Sequence, residues 1–459
     1  MGGGMFSVED VSSEDVSILL SRQESQFFDF KRKDNFDKIS KTISAFANAD
    51  GGELLVGVGD PATSDCRWLG YDSIEDANGH VAQLFAQFDN GAEYLNIDFI
   101  HSGIYSGYVM RVVVQKTPYI VRAVDGKVYR RQNAQDRSVY GGDLHQLELD
   151  KGVRSYEDQV TDVNVDELYG SEIYEYFKTS IVPHSVMDVF FKRERIVSES
   201  RVRVSGVLLF SDLPQAILAQ SAIKVYRYKS LSEEGTRNEL AFDPITIEGP
   251  IYNIIRDSVA TTKKIIEDIP ILKESGFRAI KYPEEAIHEV ICNAVIHRDY
   301  SINDYVHVRI FDNRVEVESP GKLAGPVTVK NILNQRFARN KKIVRLINKF
   351  PSPPNKDVGE GLNTAARAMQ DLNLGRPEIR ETDASVVVVL KHEPLASKEE
   401  LIINYLKKDA FINNSIARRV CSVQSDSVIR KIFKKMMESG LIEKVPGTAA
   451  RGTKYRAKH

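Results

Sequence analysis

An acid and an amide four residues apart, Glu289 and Asn293, stand inside the run EAIHEVICNAVIHRDY at 285–300. On a helix they share one face, about one turn apart. The amide oxygen can ligate a metal without adding charge, and the carboxylate can orient water for attack on a phosphate. The pair therefore suits a magnesium nucleotide. By itself ExxxN most often marks a solvated face. Here Ala286, Ile287, Val290, Ile291, Ala294 and Val295 surround it, and paired polar groups among apolar neighbours need a reason. His288 and His297 read as packing or surface histidines, and Asp299 as a residue that orders the HRDY turn.

A second set of chemical residues lies near the N-terminus. Alternation along a strand at 26–31 puts Phe28 and Phe30 on one face, and Asp29 and Lys31 on the other. Glu24 must lie just before that strand, and Asp60 ends the next one. Such carboxylates would hold Mg2+ or Mn2+ against a phosphodiester, with Lys31 offsetting charge on the attacked phosphate. Ordinary surface charge is the alternative. The third set is basic. From 396 to 459 there are fourteen Lys/Arg and six Asp/Glu, a net of about +8 in a chain whose total is −2, which implies a polyanion partner for the tail.

The chain that must position these groups has 459 residues, enough for about three domains at roughly 100–200 residues each. Its three cysteines, Cys66, Cys292 and Cys421, form no CxxC, so neither a disulfide framework nor a zinc site is indicated, and a reducing cytoplasm is expected. No apolar run approaches ~18 residues, so no membrane span is expected, and no signal peptide opens the chain.

Block one runs from about 8 to 150. Its pattern predicts helices at 11–20 and 36–47, the second with Phe36, Ile39, Ile43 and Phe46 at helical spacing, and strands at 26–31, 53–58, 108–114, 119–123 and 127–131. Block two, about 165–395, predicts strands at 202–210, 222–228, 306–311, 314–319 and 385–390. Helices are expected at 251–266, around the ExxxN pair, at 327–333 and opening at Gly359-Glu360-Gly361. Together these make an α/β sandwich with helices on one sheet face. Block three, 396–459, reads as a winged helix-turn-helix, with helices at 398–407, 414–420 and 425–439 and a strand at 441–444. Arg430, Lys431, Lys434 and Lys435 fall on the outward face of its third helix, and Arg451, Lys454 and Arg456 on the wing, placed for phosphate contacts. The same module also serves protein contact or dimerisation.

The segments ESQFFDFKRK, ISAFANADGGELLVGVGD and GKVYRRQN resemble the Schlafen AlbA-type domain over roughly 20–145. That resemblance implies metal-binding acids at Glu24, Asp29 and Asp60, with Asp29 standing where relatives usually have Glu. Asn293–Tyr300, Ser319–Leu323, Arg339-Asn340 and Gly359–Gly361 resemble the GHKL ATPases, and more closely the subgroup fused behind Schlafen AlbA-type domains. It implies ATP as ligand, Glu289 as general base and Asn293 as magnesium ligand. Ser319 stands where most relatives read adenine with an aspartate. Gly321 would let backbone approach the nucleotide, Gly359 and Gly361 would place amides against its phosphates, and Arg339 or Lys341 would close over them. No GxxxxGK[ST] loop occurs, so a helicase motor is not expected.

The fold expected is thus α/β and multidomain. Two functions follow. One is a metal-dependent Schlafen-type nuclease on RNA or DNA, gated by nucleotide, homo-oligomeric and suited to anti-phage defence. The other is an ATP-binding transcriptional regulator without cleavage.

Overall fold

The computed structural model of the chain describes residues 6–60, 66–89, 91–182, 186–273, 276–279, 282–350, 353–354, 361–372, 374–391, 398–407, 409–421, 425–447 and 453–458. Gly359 and Arg451 lie outside the described residues.

The N-terminal sheet has five strands in the order Val8–Val11, Leu95–Ser102, Tyr108–Val114, Gly52–Val56, Phe28–Lys31. The two outer pairs are parallel and the inner pairs antiparallel. Helix Phe36–Asn48 covers one face through Ile39, Ile43 and Phe46, which pack with Leu54, Val56, Phe99 and Val112. A smaller cluster on the other face joins Phe28 and Phe30 to Leu55 and to Val16 of helix Ser13–Ser21. Phe28–Lys31 is an edge strand, and the hairpin Val128–Gln132/Gln135–Val139 packs on the covering helix beside it.

The central sheet has six strands in the order Ile245–Ile247, Ile223–Arg227, Val306–Ile310, Arg314–Pro320, Ser385–Lys391, Glu378–Glu381. Only Ile223–Arg227 with Val306–Ile310 is parallel. Helices Ile251–Glu267 and Glu284–Ile296 pack on this sheet, and Gly361–Asp371 packs on the second of them. One apolar cluster runs from Val163 to Leu390, so the helical segment before the sheet shares its core. The C-terminal part is separate. Helices Lys398–Leu406, Asn414–Val420 and Asp426–Glu438 and a small antiparallel sheet, Ile412–Asn413, Lys454–Ala457, Ile442–Lys444, enclose Ile402, Ile429, Phe433 and Met436.

Three expected elements differ. Val204–Phe210 is a helix, not a strand: all seven residues are buried, and a run buried all round has no period to decide between the two. The segment 119–123 makes only an isolated bridge, Arg122 with Val128. Instead of a neighbouring strand, the side chain of Asn48 serves it. Its Oδ1 accepts from Val121 N at 2.9 Å, and its Nδ2 donates to Val121 O at 2.7 Å and Tyr129 O at 2.8 Å. Residues 327–333 form successive turns, not a helix. Asn331 accepts from Thr328 N at 2.7 Å and donates to Pro326 O at 3.1 Å, side-chain bonds that compete with helical ones. The strand Glu378–Glu381 had no clear alternation to reveal it.

Candidate functional site

The fold brings Glu289 and Asn293 onto one face of helix Glu284–Ile296, directed at the start of helix Gly361–Asp371. Asn293 Nδ2 donates to Glu289 Oε1 at 2.8 Å, and both side chains are half-buried. Helix Gly361–Asp371 begins so close that a Cβ on Gly361 would stand 1.7 Å from Glu289 Oε1. The Glu289 carboxylate therefore lies directly against the helix start, and a side chain at 361 would have to displace it. His288 packs as expected, its Nε2 2.7 Å from Pro354 O.

The other residues expected around a nucleotide, Ser319, Gly321, Arg339 and Lys341, have the following neighbours. Ser319 Oγ donates to Ala294 O at 2.7 Å, tying the strand end to the ExxxN helix. Gly321, at φ +101°, approaches protein and not an open space: a Cβ there would meet Asp299 Cβ at 2.6 Å. Arg339 is 4% exposed. It pairs with Asp299 at 2.9 Å and donates to the carbonyls of Lys322 (2.7 Å) and Leu149 (3.3 Å), as a buried anchor. Lys341 is exposed, 5.4 Å over the Phe337 ring.

That anchor reaches the N-terminal sheet's domain. Helix Gly141–Lys151 lies between the two, and its Asp150 stands 3.2 Å from Arg130 Nη1 and 3.7 Å from Arg339 Nη1. Gln146 Nε2 donates to Asp150 Oδ1 at 3.2 Å and Asp299 Oδ2 at 2.9 Å. Around this chain of charges, Lys116 Nζ donates to Leu323 O (2.9 Å) and Val327 O (3.1 Å), and Gly325 N donates to Asp150 O (2.8 Å). Nothing in the sequence pattern singled out Arg130, Asp150 or Lys116. Their partners are more than a hundred residues away for Lys116, and only the tertiary fold brings them near.

Arg130 and its neighbour Arg131 are successive residues of one strand and reach different partners, as alternation requires. Arg131 turns to the acids of the N-terminal sheet: Nη1 is 2.6 Å from both Asp29 Oδ2 and Asp136 Oδ1, and Nη2 donates to Ser25 O at 2.9 Å. Asp29 is buried and also pairs with Lys31, whose Nζ is 3.9 Å from Glu24. Burial, then hydrogen bonding to Asp29, push the Glu24 carboxyl up to about 7, against the pull of Lys31 and Arg131. Asp60 is exposed beyond the next strand. Among the described residues no three acid, histidine or cysteine side chains gather to hold a metal ion. Of the expected metal set Glu24, Asp29 and Asp60, Asp29 has a cation against each oxygen, Lys31 and Arg131, and Asp60 lies apart, beyond the next strand.

In the C-terminal module Arg430, Lys431, Lys434 and Lys435 do face outward. Three of them have acidic partners, Arg430 with Asp426, Lys434 with Glu438 and Lys435 with Glu399. Lys454 lies 3.8 Å over the Phe411 ring.

Residues 24–140 match the family model described as Schlafen, AlbA_2, and residues 303–390 the model described as Putative ATP-dependent DNA helicase recG C-terminal, an HATPase type. The chain therefore joins a Schlafen AlbA_2 domain to a RecG C-terminal-type ATPase domain, a pairing that points to a nucleic-acid-related, ATP-dependent function. The second match begins after the ExxxN helix. No curated protein matches the chain. Among solved structures, the DIP2311 protein from Corynebacterium diphtheriae is 16% identical, with 97% of this chain and 96% of that chain covered and a TM-score of 0.42. Among the described residues no helix is long and apolar enough to cross a membrane.

Proposed function

We propose that this protein is a nucleotide-gated nucleic-acid-binding protein. The nucleotide is held at Glu289, Asn293 and Gly361, and the Schlafen-type face around Glu24, Asp29 and Lys31 takes the nucleic acid. The chain of ion pairs Arg130–Asp150–Arg339–Asp299 carries this reading, because Asp299 follows the ExxxN helix while Arg130 adjoins the arginine that holds Asp29. Bound ATP with magnesium would supply a hydrolysable, highly charged phosphate chain. Asn293 would offer its amide oxygen to the metal, Glu289 would orient water, and Gly361 lets the helix start lie against the Glu289 carboxylate. The C-terminal module, as a winged helix with outward Arg430, Lys431, Lys434 and Lys435, adds phosphate contacts. ATPase domains of this kind lock dimers, so a homodimer or larger assembly belongs to the reading.

A second reading, cleavage of a phosphodiester at the same face, is favoured by Glu24. A carboxyl titrating near 7 beside the Lys31 ammonium suits acid–base chemistry. A cleaving form gated by nucleotide suits defence against phage. The test is calorimetry with ATP and magnesium, followed by labelled RNA and DNA panels with and without Mn2+ and ATP. Heat that is lost in Asn293→Ala supports the gate. No heat with any nucleoside triphosphate, and Asn293→Ala behaving like the parent, removes it. Products that need Mn2+ and vanish in Asp60→Ala identify a metal nuclease; products without metal that vanish in Glu24→Gln identify acid–base cleavage. Binding without products leaves the regulator.

A further inference from the structure

The Schlafen-type face ends in a residue that its core does not use. Phe27 is 54% exposed, a large aromatic ring left in solvent immediately before the edge strand Phe28–Lys31. Its backbone is fixed: Phe27 O accepts from Glu53 N at 2.9 Å, continuing the parallel ladder by one residue, and Phe27 N donates to Ser25 Oγ at 3.3 Å. With that register, alternation sets Phe27 on the face of Asp29 and Lys31, opposite Phe28 and Phe30, which are buried. Phe28 has its own cation, Arg22, 3.3 Å over its ring on the other side.

Around Phe27 the groups are polar and held in place. Gln26 Nε2 donates to Arg131 O at 3.3 Å, and Gln26 Oε1 accepts from Asn133 N at 2.7 Å, which pins the hairpin tip next to it. From the ATPase-type domain, in the turn segment 327–334, the exposed Lys330 brings its ammonium to 6.0 Å from the Phe27 ring centroid. An exposed aromatic ring in line with a phosphate-binding lysine is the arrangement by which proteins hold single strands: a base stacks on the ring and the backbone lies on the cation. A base inside a duplex has its faces covered by its neighbours and offers none to the ring.

We infer that Phe27 is a stacking platform for an unpaired base of a single-stranded nucleic acid, and that Lys330 holds the adjoining phosphate, so that both domains contribute to one strand-selective surface. This rests on the reading of the Schlafen-type face as the nucleic-acid site and names its substrate class. It also makes Lys330 a direct route by which movement of the ATPase-type domain changes binding.

The test is fluorescence anisotropy on the full chain with a labelled single strand, and with the duplex of the same sequence, over a series of salt concentrations. Phe27→Ala weakens single-strand binding by about ten-fold and leaves the duplex unchanged, and Phe27→Trp restores it. Lys330→Ala lowers the slope of log affinity against log salt by about 0.7, one phosphate contact on a single strand. Phe27 is exposed, so its variants should fold like the parent, which circular dichroism verifies. A parent-like affinity of Phe27→Ala for the single strand, or equal preference of the parent for duplex, overturns the inference while the wider nucleic-acid reading stands. Gel filtration in which Phe27→Ala dissociates an oligomer without touching strand affinity makes the ring a protein contact and overturns it too. Failure of the parent to bind any nucleic acid removes both.

Discussion

Glu24 changes charge near neutrality, and the sign of its effect can be worked out. Its folded value, about 7, lies above the ordinary 4.5 because burial and Asp29 favour the neutral form. The group therefore contributes stability below pH 4.5 and loses that contribution as pH rises through about 7. A phosphate on the same face meets a neutral carboxyl at pH 6 and an anion at pH 8. Nucleic-acid affinity should fall across that interval in the parent and run flat in Glu24→Gln, as anisotropy at fixed ionic strength would reveal. An equal slope in the variant would assign the titration elsewhere. Gly361 is the other residue that the proposed nucleotide site puts to a test. A methyl group there must displace Glu289 Oε1, so under the proposed site Gly361→Ala should weaken nucleotide binding in calorimetry while circular dichroism stays unchanged. Parent-like heat in that variant would place the nucleotide away from this helix start.

At the scale of elements, much of the fold was legible and the exceptions have physical causes. The strand Tyr108–Val114 and the helix Asn414–Val420 stand where their patterns put them, and the ExxxN pair shares its face because four residues make about one turn. Val204–Phe210 misled because a run buried all round has no phase. The AFAN run proved structural in a way that spacing cannot reveal, since Asn48 replaces a missing strand for Val121 through bonds across 73 residues. Ser319, Gly321 and Arg339 sit where motif spacing suggested, yet they hold the protein to itself. Only tertiary contacts with Ala294, Asp299 and Leu149 show that. Asn48→Ala should cost about 2–4 kcal/mol, since it orphans Val121 N and removes a donor from two buried carbonyls. Thermal denaturation measures this. A melting temperature unchanged from the parent would mean that water takes over these bonds.

In the whole molecule, two domains share one charge network through helix Gly141–Lys151. Asp150 stands between Arg130 and Arg339 and links them. Asp150→Asn keeps its shape and removes its charge, so nucleotide and nucleic acid should each bind nearly as in the parent while their mutual effect shrinks. Two separate affinities that weaken together would instead indicate a folding defect. The coupling itself is the central claim, and one measurement addresses it directly: the affinity of the full chain for a labelled single strand, without nucleotide and at saturating ATP with magnesium. A gate of ordinary strength, about 1–3 kcal/mol, changes that affinity by about 5- to 150-fold, and the same factor must appear in ATP affinity when the strand is added first. Identical strand affinity in the two conditions, with ATP binding proved by calorimetry in the same buffer, would contradict it.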